Sequence, residues 1–290
     1  MAIIVVILII GLIGYLIYTK MTGNITVNEQ KSVSAKSIRN IQIQTSSANV
    51  QLTSSKGNEI VATLNGNISK RIADQYTFEL ITKNDMLQIN VEMRNNSLGV
   101  HLDEVGNIEL EVSIPEQTYE QIQAKTTSGT VKANGIITTQ FNAESSSGDQ
   151  EFSNMKVTKE AELKTTSGDI QTENNQFETS KVTTTSGQIL SKNVTGSLAN
   201  LQTSSGKLKY EQEQLIPDVT LTSSSGDVDV QLTGSTDSLQ LDFNGGSGIA
   251  EINVDGMLYQ DKSEHSAKGI KGEGKYMMVV KTNSGDLKVN

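Results

Sequence analysis

Aspartate follows glycine at Asp149, Asp169, Asp227 and Asp286, each time directly after a serine. Carboxylates repeated at one phase are what a calcium ladder would need, because Ca²⁺ gathers roughly six to eight oxygen ligands. Read in order, the residues after glycine are Thr130, Asp149, Asp169, Gln188, Lys207 and Asp227. Only Asp149 and Asp169 are successive carboxylates, and a lysine interrupts the run. At about 5 Å on a wet surface the pair repels by roughly 1 kcal/mol, so one cation between Asp149 and Asp169 is the single metal candidate. The plainer reading is architectural. The pairs Ser128-Gly129, Ser147-Gly148, Ser167-Gly168, Ser186-Gly187, Ser205-Gly206, Ser225-Gly226 and Ser284-Gly285 are expected to be turns. Glycine there would supply a positive φ, and Ser and Asp the local side-chain bonds that turns favour.

Other reactive residues are sparse. His101 lies near Asp103 and Glu104, and His265 adjoins Glu264. Each could belong to a triad or a metal site, but lone histidines in polar segments read as solvated surface. There is no G-x-S-x-G elbow, no Walker loop and no H-E-x-x-H. Glycan cleavage would need paired carboxylates. Glu144 and Glu162 face outward, but Lys125 and Lys164 beside them make a mixed charged surface. The chain lacks tryptophan as a sugar platform and lacks cysteine for a disulfide, thiolate metal site or nucleophile. No catalytic residue and no cofactor is expected. A β-helix hydrolase or lyase is the enzymatic alternative.

The elements behind these residues follow from the period. The serines at 128, 147, 167, 186, 205 and 225 are 19 or 20 residues apart, the mark of a repeat architecture. Four residues before each stand Ala124, Ala143, Leu163, Val182, Leu201 and Leu221, and three after each stand Val131, Gln150, Ile170, Ile189, Leu208 and Val228. Apolar or small residues alternate with polar ones on both flanks, so each unit reads as strand, turn, strand, with one buried face. One unit makes one coil. The expected fold is an all-β, single-stranded β-solenoid with parallel pairing between coils, preceded by one N-terminal transmembrane helix. A β-sandwich would alternate similarly but would not need one tetrapeptide at one phase.

The expected organisation is a transmembrane anchor at 1–19, a polar stalk at 20–36 and a solenoid at 37–290. Within the solenoid, 37–121 form irregular first coils or a cap, 122–250 the regular repeats, and 251–290 an insertion and closing coil. Residues 2–18, "AIIVVILIIGLIGYLIY", are uncharged and long enough for a short membrane span, with Tyr15, Tyr18 and Lys20 suited to an interface. No positive n-region or cleavage site favours a removed signal. Lys20, Lys31, Lys36 and Arg39 follow the segment, which read literally puts the body inside. The Cys-free, Ser/Thr/Asn-rich repeat body argues instead for an extracytoplasmic location. The net charge of −9 speaks against nucleic acid as a partner.

The blocks "LEVSIPEQTYEQIQAKTTSGTVKA" (110–133), "TTSGDI" (165–170) and "KGIKGEGKYMMVVKTNSGDLKVN" (268–290) resemble the bacterial putative-adhesin domain family. That family of unknown function includes LiaG-like membrane-anchored envelope proteins of Gram-positive bacteria. The resemblance spans about 38–290. It implies a β-solenoid, attachment by one N-terminal helix and a link to envelope stress, and it supplies no site residues. The expected function is a membrane-anchored scaffold or interaction module of the envelope, with an envelope protein or a cell-wall polymer as partner. Binding of a wall glycan or anionic wall polymer is the alternative.

Overall fold

The computed structural model describes residues 23–70, 76–93 and 105–290. The expected anchor at 1–19 and His101 lie outside them. Strand β1 (Asn24–Ser34) leads through a single 3-10 turn (Ala35–Ser37) to β2 (Asn40–Thr45) and β3 (Asn49–Ser55). Next come β4 (Glu59–Ser69), β5 (Tyr76–Lys83), β6 (Met86–Met93) and β7 (Val105–Pro115). Regular coils follow, two strands each: β8 (Tyr119–Lys125) with β9 (Val131–Asn134), then β10 (Ile137–Glu144) with β11 (Gln150–Ser153). They continue as β12 (Lys156–Lys164) with β13 (Ile170–Glu173), and β14 (Gln176–Thr184) with β15 (Ile189–Lys192). Then come β16 (Leu198–Thr203) with β17 (Leu208–Gln212), and β18 (Asp218–Ser223) with β19 (Val228–Leu232). The chain ends in β20 (Leu239–Gly245), β21 (Ala250–Ile252), β22 (Leu258–Lys262), β23 (Ser266–Lys271), β24 (Tyr276–Thr282) and β25 (Leu287–Val289).

Each coil gives one strand to each of two sheets. A 12-stranded sheet runs β1-β4-β7-β3-β9-β11-β13-β15-β17-β19-β25-β21, and a 13-stranded sheet runs β22-β23-β20-β24-β18-β16-β14-β12-β10-β8-β2-β6-β5. Pairing between regular coils is parallel, as in Ile170 opposite Ile189 and Leu163 opposite Val182, and its register shifts between Thr138 and Gln140 and between Val157 and Glu160. The alternation predicted from sequence is the one observed. Ala124, Leu163, Leu201, Val131, Ile170 and Leu208 are all buried between the sheets, and Phe141 meets Phe152 edge-on at 5.3 Å.

Spatial order departs from chain order at both ends. The coil β2/β3 sits between β6/β7 and β8/β9, and the C-terminal coil β24/β25 sits between β18/β19 and β20/β21. The 37-residue step from Ser247 to Ser284 marks the second exchange. Between them the hairpin β22–β23 folds antiparallel onto β20 and covers that edge. The opposite end is closed by antiparallel β1, β4 and β5. There Lys31 Nζ donates to the carbonyl of Phe78, and the Tyr76 hydroxyl to Glu29, joining the two sheets.

Residues 24–34, read from sequence as part of a polar stalk, form edge strand β1, paired with β4 along its length. Its pattern was faint because an edge strand over a cap buries little, and Val27 is its one buried side chain.

The corner glycines correct a second expectation. None of Gly129, Gly148, Gly168, Gly187, Gly206, Gly226 or Gly285 has a positive φ. A Cβ on Gly148, Gly187 or Gly206 would lie 1.8 Å from the carbonyl oxygen of the corner glycine one coil away. Glycine is required because backbone stacks directly on backbone. Gly187→Ala is therefore expected to cost about 3 kcal/mol or more, as forced overpacking does. Gly57→Ala, whose Cβ would meet nothing closer than 4.0 Å, should stay within about 0.5 kcal/mol. Urea unfolding followed by circular dichroism measures both, and equal losses would refute the stacking account.

Two buried tyrosines fix an alkaline limit. Burial pushes the Tyr119 phenol up to about 12 despite an opposing hydrogen bond from Gln117, and burial alone raises Tyr210 further. A folded-state pKa above the unfolded value of about 10 gives stability that is complete below pH 10 and lost as pH rises toward 12. The urea midpoint should hold between pH 7 and 9 and fall between pH 10 and 12, with tyrosinate absorbance appearing at the unfolding transition. Tyr119→Phe should blunt the fall.

Candidate functional surface

The corner tetrapeptide is a hydrogen-bond device. Its first residue points inward: Thr126, Ser145, Thr165, Thr184, Thr203, Ser223 and Thr282 are all buried. The Thr184 hydroxyl accepts the amide of Gly187 at 3.1 Å and donates to the carbonyl of Gly168 in the neighbouring coil at 3.0 Å. Thr165 and Thr203 repeat both bonds. The second and third residues face solvent, with Thr166, Ser167, Thr185 and Ser186 all exposed. Their amides pair in twos on one carbonyl of the adjacent corner: Thr185 and Ser186 both donate to Thr166.

The aspartates act in the same ladder. Asp149 Oδ1 accepts the backbone amide of Asp169 at 2.8 Å, and Asp169 Oδ1 accepts that of Gln188 at 2.7 Å. Asp227 caps Asp286, and Asp286 caps Ile249. Asn49 serves Thr130 at the first corner. Each of these side chains covers the amide at the equivalent place in the adjacent coil. The candidate cation pair Asp149 and Asp169 is thus joined through backbone. Among the described residues no group of three or more histidine or acidic side chains stands in metal-binding arrangement. Lys207 stands next to Asp227 in the column, and its ammonium pairs with Asp229 at 3.6 Å.

His265 is tied into the last corner. Its Nδ1 lies 2.8 Å from the carbonyl of Gly248, the terminal member of the glycine stack, where a Thr hydroxyl of a further coil would otherwise sit. Gly245 donates to the His265 carbonyl and Ala250 to that of Glu264. The histidine closes the ladder.

A second corner was not foreseen. Seven residues after the serines 128, 147, 167 and 186 stand Gly135, Asn154, Asn174 and Asn193, and all four have a positive φ. Glycine and asparagine are the residues that tolerate this conformation, so the column was readable at that phase. Asn175 beside it is buried, accepting the Met155 amide and donating to the Phe152 carbonyl.

The outer faces carry charge in matched pairs. Lys125 meets Glu144 at 3.0 Å, Lys132 meets Glu151 at 2.9 Å, Lys181 meets Glu162 at 2.9 Å and Lys192 meets Glu173 at 2.8 Å. Each pair links residues of adjacent coils. The acids singled out from sequence, Glu144 and Glu162, are both engaged. One region differs. On the 13-stranded sheet, Gln88, Gln42, Gln123 and Asn142 lie side by side on β6, β2, β8 and β10. Asn40, Gln121 and Gln140 form the next column.

The Toastrack DUF4097 family matches residues 38–290, and the chain belongs to that family. No curated protein matches it. The fold is similar to crystal structures of a putative adhesin from Bacteroides fragilis (14% identity, 91% of this chain and 97% of that one, TM-score 0.48) and a putative adhesin from Parabacteroides distasonis (8% identity, 90% and 97%, TM-score 0.43). A putative lipid binding protein from Parabacteroides distasonis is also similar, at 14% identity over 90% of this chain and 96% of that one, with a TM-score of 0.49.

The aspartate ladder predicts a split between charge and capping. Asp169→Asn keeps an acceptor for the Gln188 amide and should unfold within about 0.5 kcal/mol of the parent, whereas Asp169→Ala should lose about 1 kcal/mol. Calcium and chelator should leave the melting temperature of all three unchanged. A melting temperature that rises with calcium in the parent and not in Asp169→Asn would restore the metal reading.

Proposed function

We propose that this protein is a non-enzymatic interaction module of the bacterial envelope. It is held by an N-terminal anchor and carries its solenoid outside the cytoplasmic membrane. The observation that carries this reading is the surface: flat sheet faces whose charges are paired between coils, with the acids and the described histidine that could do chemistry committed to structural bonds. A rod of this kind offers repeated contacts along its length, and multivalent contact raises avidity without new chemistry. The apolar run at 2–18 supports the anchor, and Gly23, where the described chain begins, is fixed by a bond from the Lys70 amide at the capped end of the stack. An anchor there would hold the rod by its antiparallel end.

A second reading, binding of a wall glycan, is favoured by the amide-covered region of the 13-stranded sheet. The net charge of −9 makes an anionic wall polymer the poorer ligand.

The full chain should remain with membranes after alkaline extraction and be released when residues 2–18 are removed. Its solenoid should be cut by protease added to intact spheroplasts. A reporter fused after Asn290 that is active only in the cytoplasm would overturn the orientation, and an unanchored full chain would overturn the attachment.

A further inference from the structure

The amide-covered region lies on the face of the 13-stranded sheet near its capped end. Gln88, Gln42, Gln123 and Asn142 are in direct register across neighbouring strands, so they form one column parallel to the stack axis. Strand spacing sets their separation at about 4.8 Å. Gln88 Nε2 donates to Gln42 Oε1 at 3.1 Å, which holds one amide plane against the next. At the end of the column Asn142 is turned into the sheet, with its Oδ1 buried and its Nδ2 donating to Glu162 Oε2 at 3.4 Å. The flanking columns add Asn40, Gln121 and Gln140 on one side. On the other, Lys125 and Glu144 neutralise each other at 3.0 Å. The column becomes charged at Glu162 of β12, next to Asn142 and paired with Lys181 at 2.9 Å, so the run of uncharged amides ends there.

We propose that this face binds an extended, uncharged glycan laid along the stack, one pyranose ring per strand over β6, β2 and β8. A primary amide offers an acceptor and two donors in one plane, the complement of a vicinal diol. A ribbon-like β-1,4-linked chain advances per ring by close to the inter-strand distance, so successive rings meet successive amides. Hydroxyls can satisfy donors and acceptors at once, which peptide carbonyls and phosphates cannot. No aromatic side chain joins the column, so the sugar lies edge-on through its hydroxyls. Affinity then comes from the number of rings engaged.

The inference rests on the wall-glycan reading and narrows it to one site and one ligand class. The full chain, in a zwitterionic detergent without a sugar headgroup, is titrated calorimetrically with two neutral β-1,4-linked tetrasaccharides, one of glucose and one of N-acetylglucosamine. The matching disaccharides and an oligogalacturonate serve as comparisons. A neutral tetrasaccharide should bind at least tenfold more tightly than its disaccharide, and the oligogalacturonate weakly or not at all. Gln42→Ala with Gln123→Ala should lower the affinity at least tenfold while the circular dichroism spectrum and melting temperature stay unchanged. Gln231→Ala, on β19 of the 12-stranded sheet, should bind as the parent does. Undiminished binding in the double variant overturns the site. So does preference for the oligogalacturonate, or self-association of the parent that the double variant abolishes. If the tetrasaccharides fail while purified wall glycan still retains the parent and the double variant alike, the site falls and the broader reading stands. If no wall fraction retains the parent, both fall.

Discussion

One hydroxyl per coil holds this molecule together at its corner. The inward Thr or Ser of each tetrapeptide accepts an amide from its own coil, and Thr165, Thr184, Thr203 and Ser223 also donate to a glycine carbonyl of the neighbouring one. A buried hydroxyl left unpaired would cost roughly 1–3 kcal/mol, so the two bonds belong together. They also fix a distance. The hydroxyl reaches the next carbonyl only if the backbones of successive corners lie in contact, and that contact leaves no room for a Cβ. The inward hydroxyl and the glycine three residues on are one requirement expressed at two positions. Exposed Ser and Thr between them are free to vary, and Asn283 takes one of their places at the last such tetrapeptide.

The other polar features extend the same logic sideways. Asp149, Asp169, Asp227 and Asp286 each cover an amide that the corner leaves open. The Lys–Glu pairs sit across adjacent coils, so charge is balanced locally along faces that would otherwise repel. Exposed pairs of this kind add little to stability individually. Their effect is on what the faces can bind, and the uncharged amide columns stand out against them.

Much of the fold was legible. Alternation around the serines placed Leu163, Ile170, Leu201 and Leu208 inside, and parallel register followed from the constant period. The reason for glycine was not legible, because close backbone approach is a property of two coils and leaves no mark distinct from a positive φ. The second corner was legible and missed: Gly135, Asn154, Asn174 and Asn193 share one phase. Strand β1 was hidden because an edge over a cap shows little alternation. The exchanged coils were hidden because chain order is a poor guide to spatial order, although the long step before Ser284 recorded one of them. Of the candidate surface, the outward amides of "NIQIQT" and "YEQIQAK" were in view, but their alignment into a column depends on which coils are neighbours.

That exchange has a consequence for how such a rod could change length. An ordinary repeat array can be extended at either terminus, since each unit touches only its neighbours. Here the first and last two-strand coils of the chain, β2/β3 and β24/β25, are each enclosed between coils that lie nearer in sequence to the middle or form the cap. A duplicated unit appended at either terminus would have no open corner to stack on. Gene duplication can lengthen the stack only by inserting units between β8 and β19. The two end assemblies then travel outward intact, and the interval between the β1/β4 cap and the far hairpin becomes a quantity evolution can adjust in steps of one strand spacing.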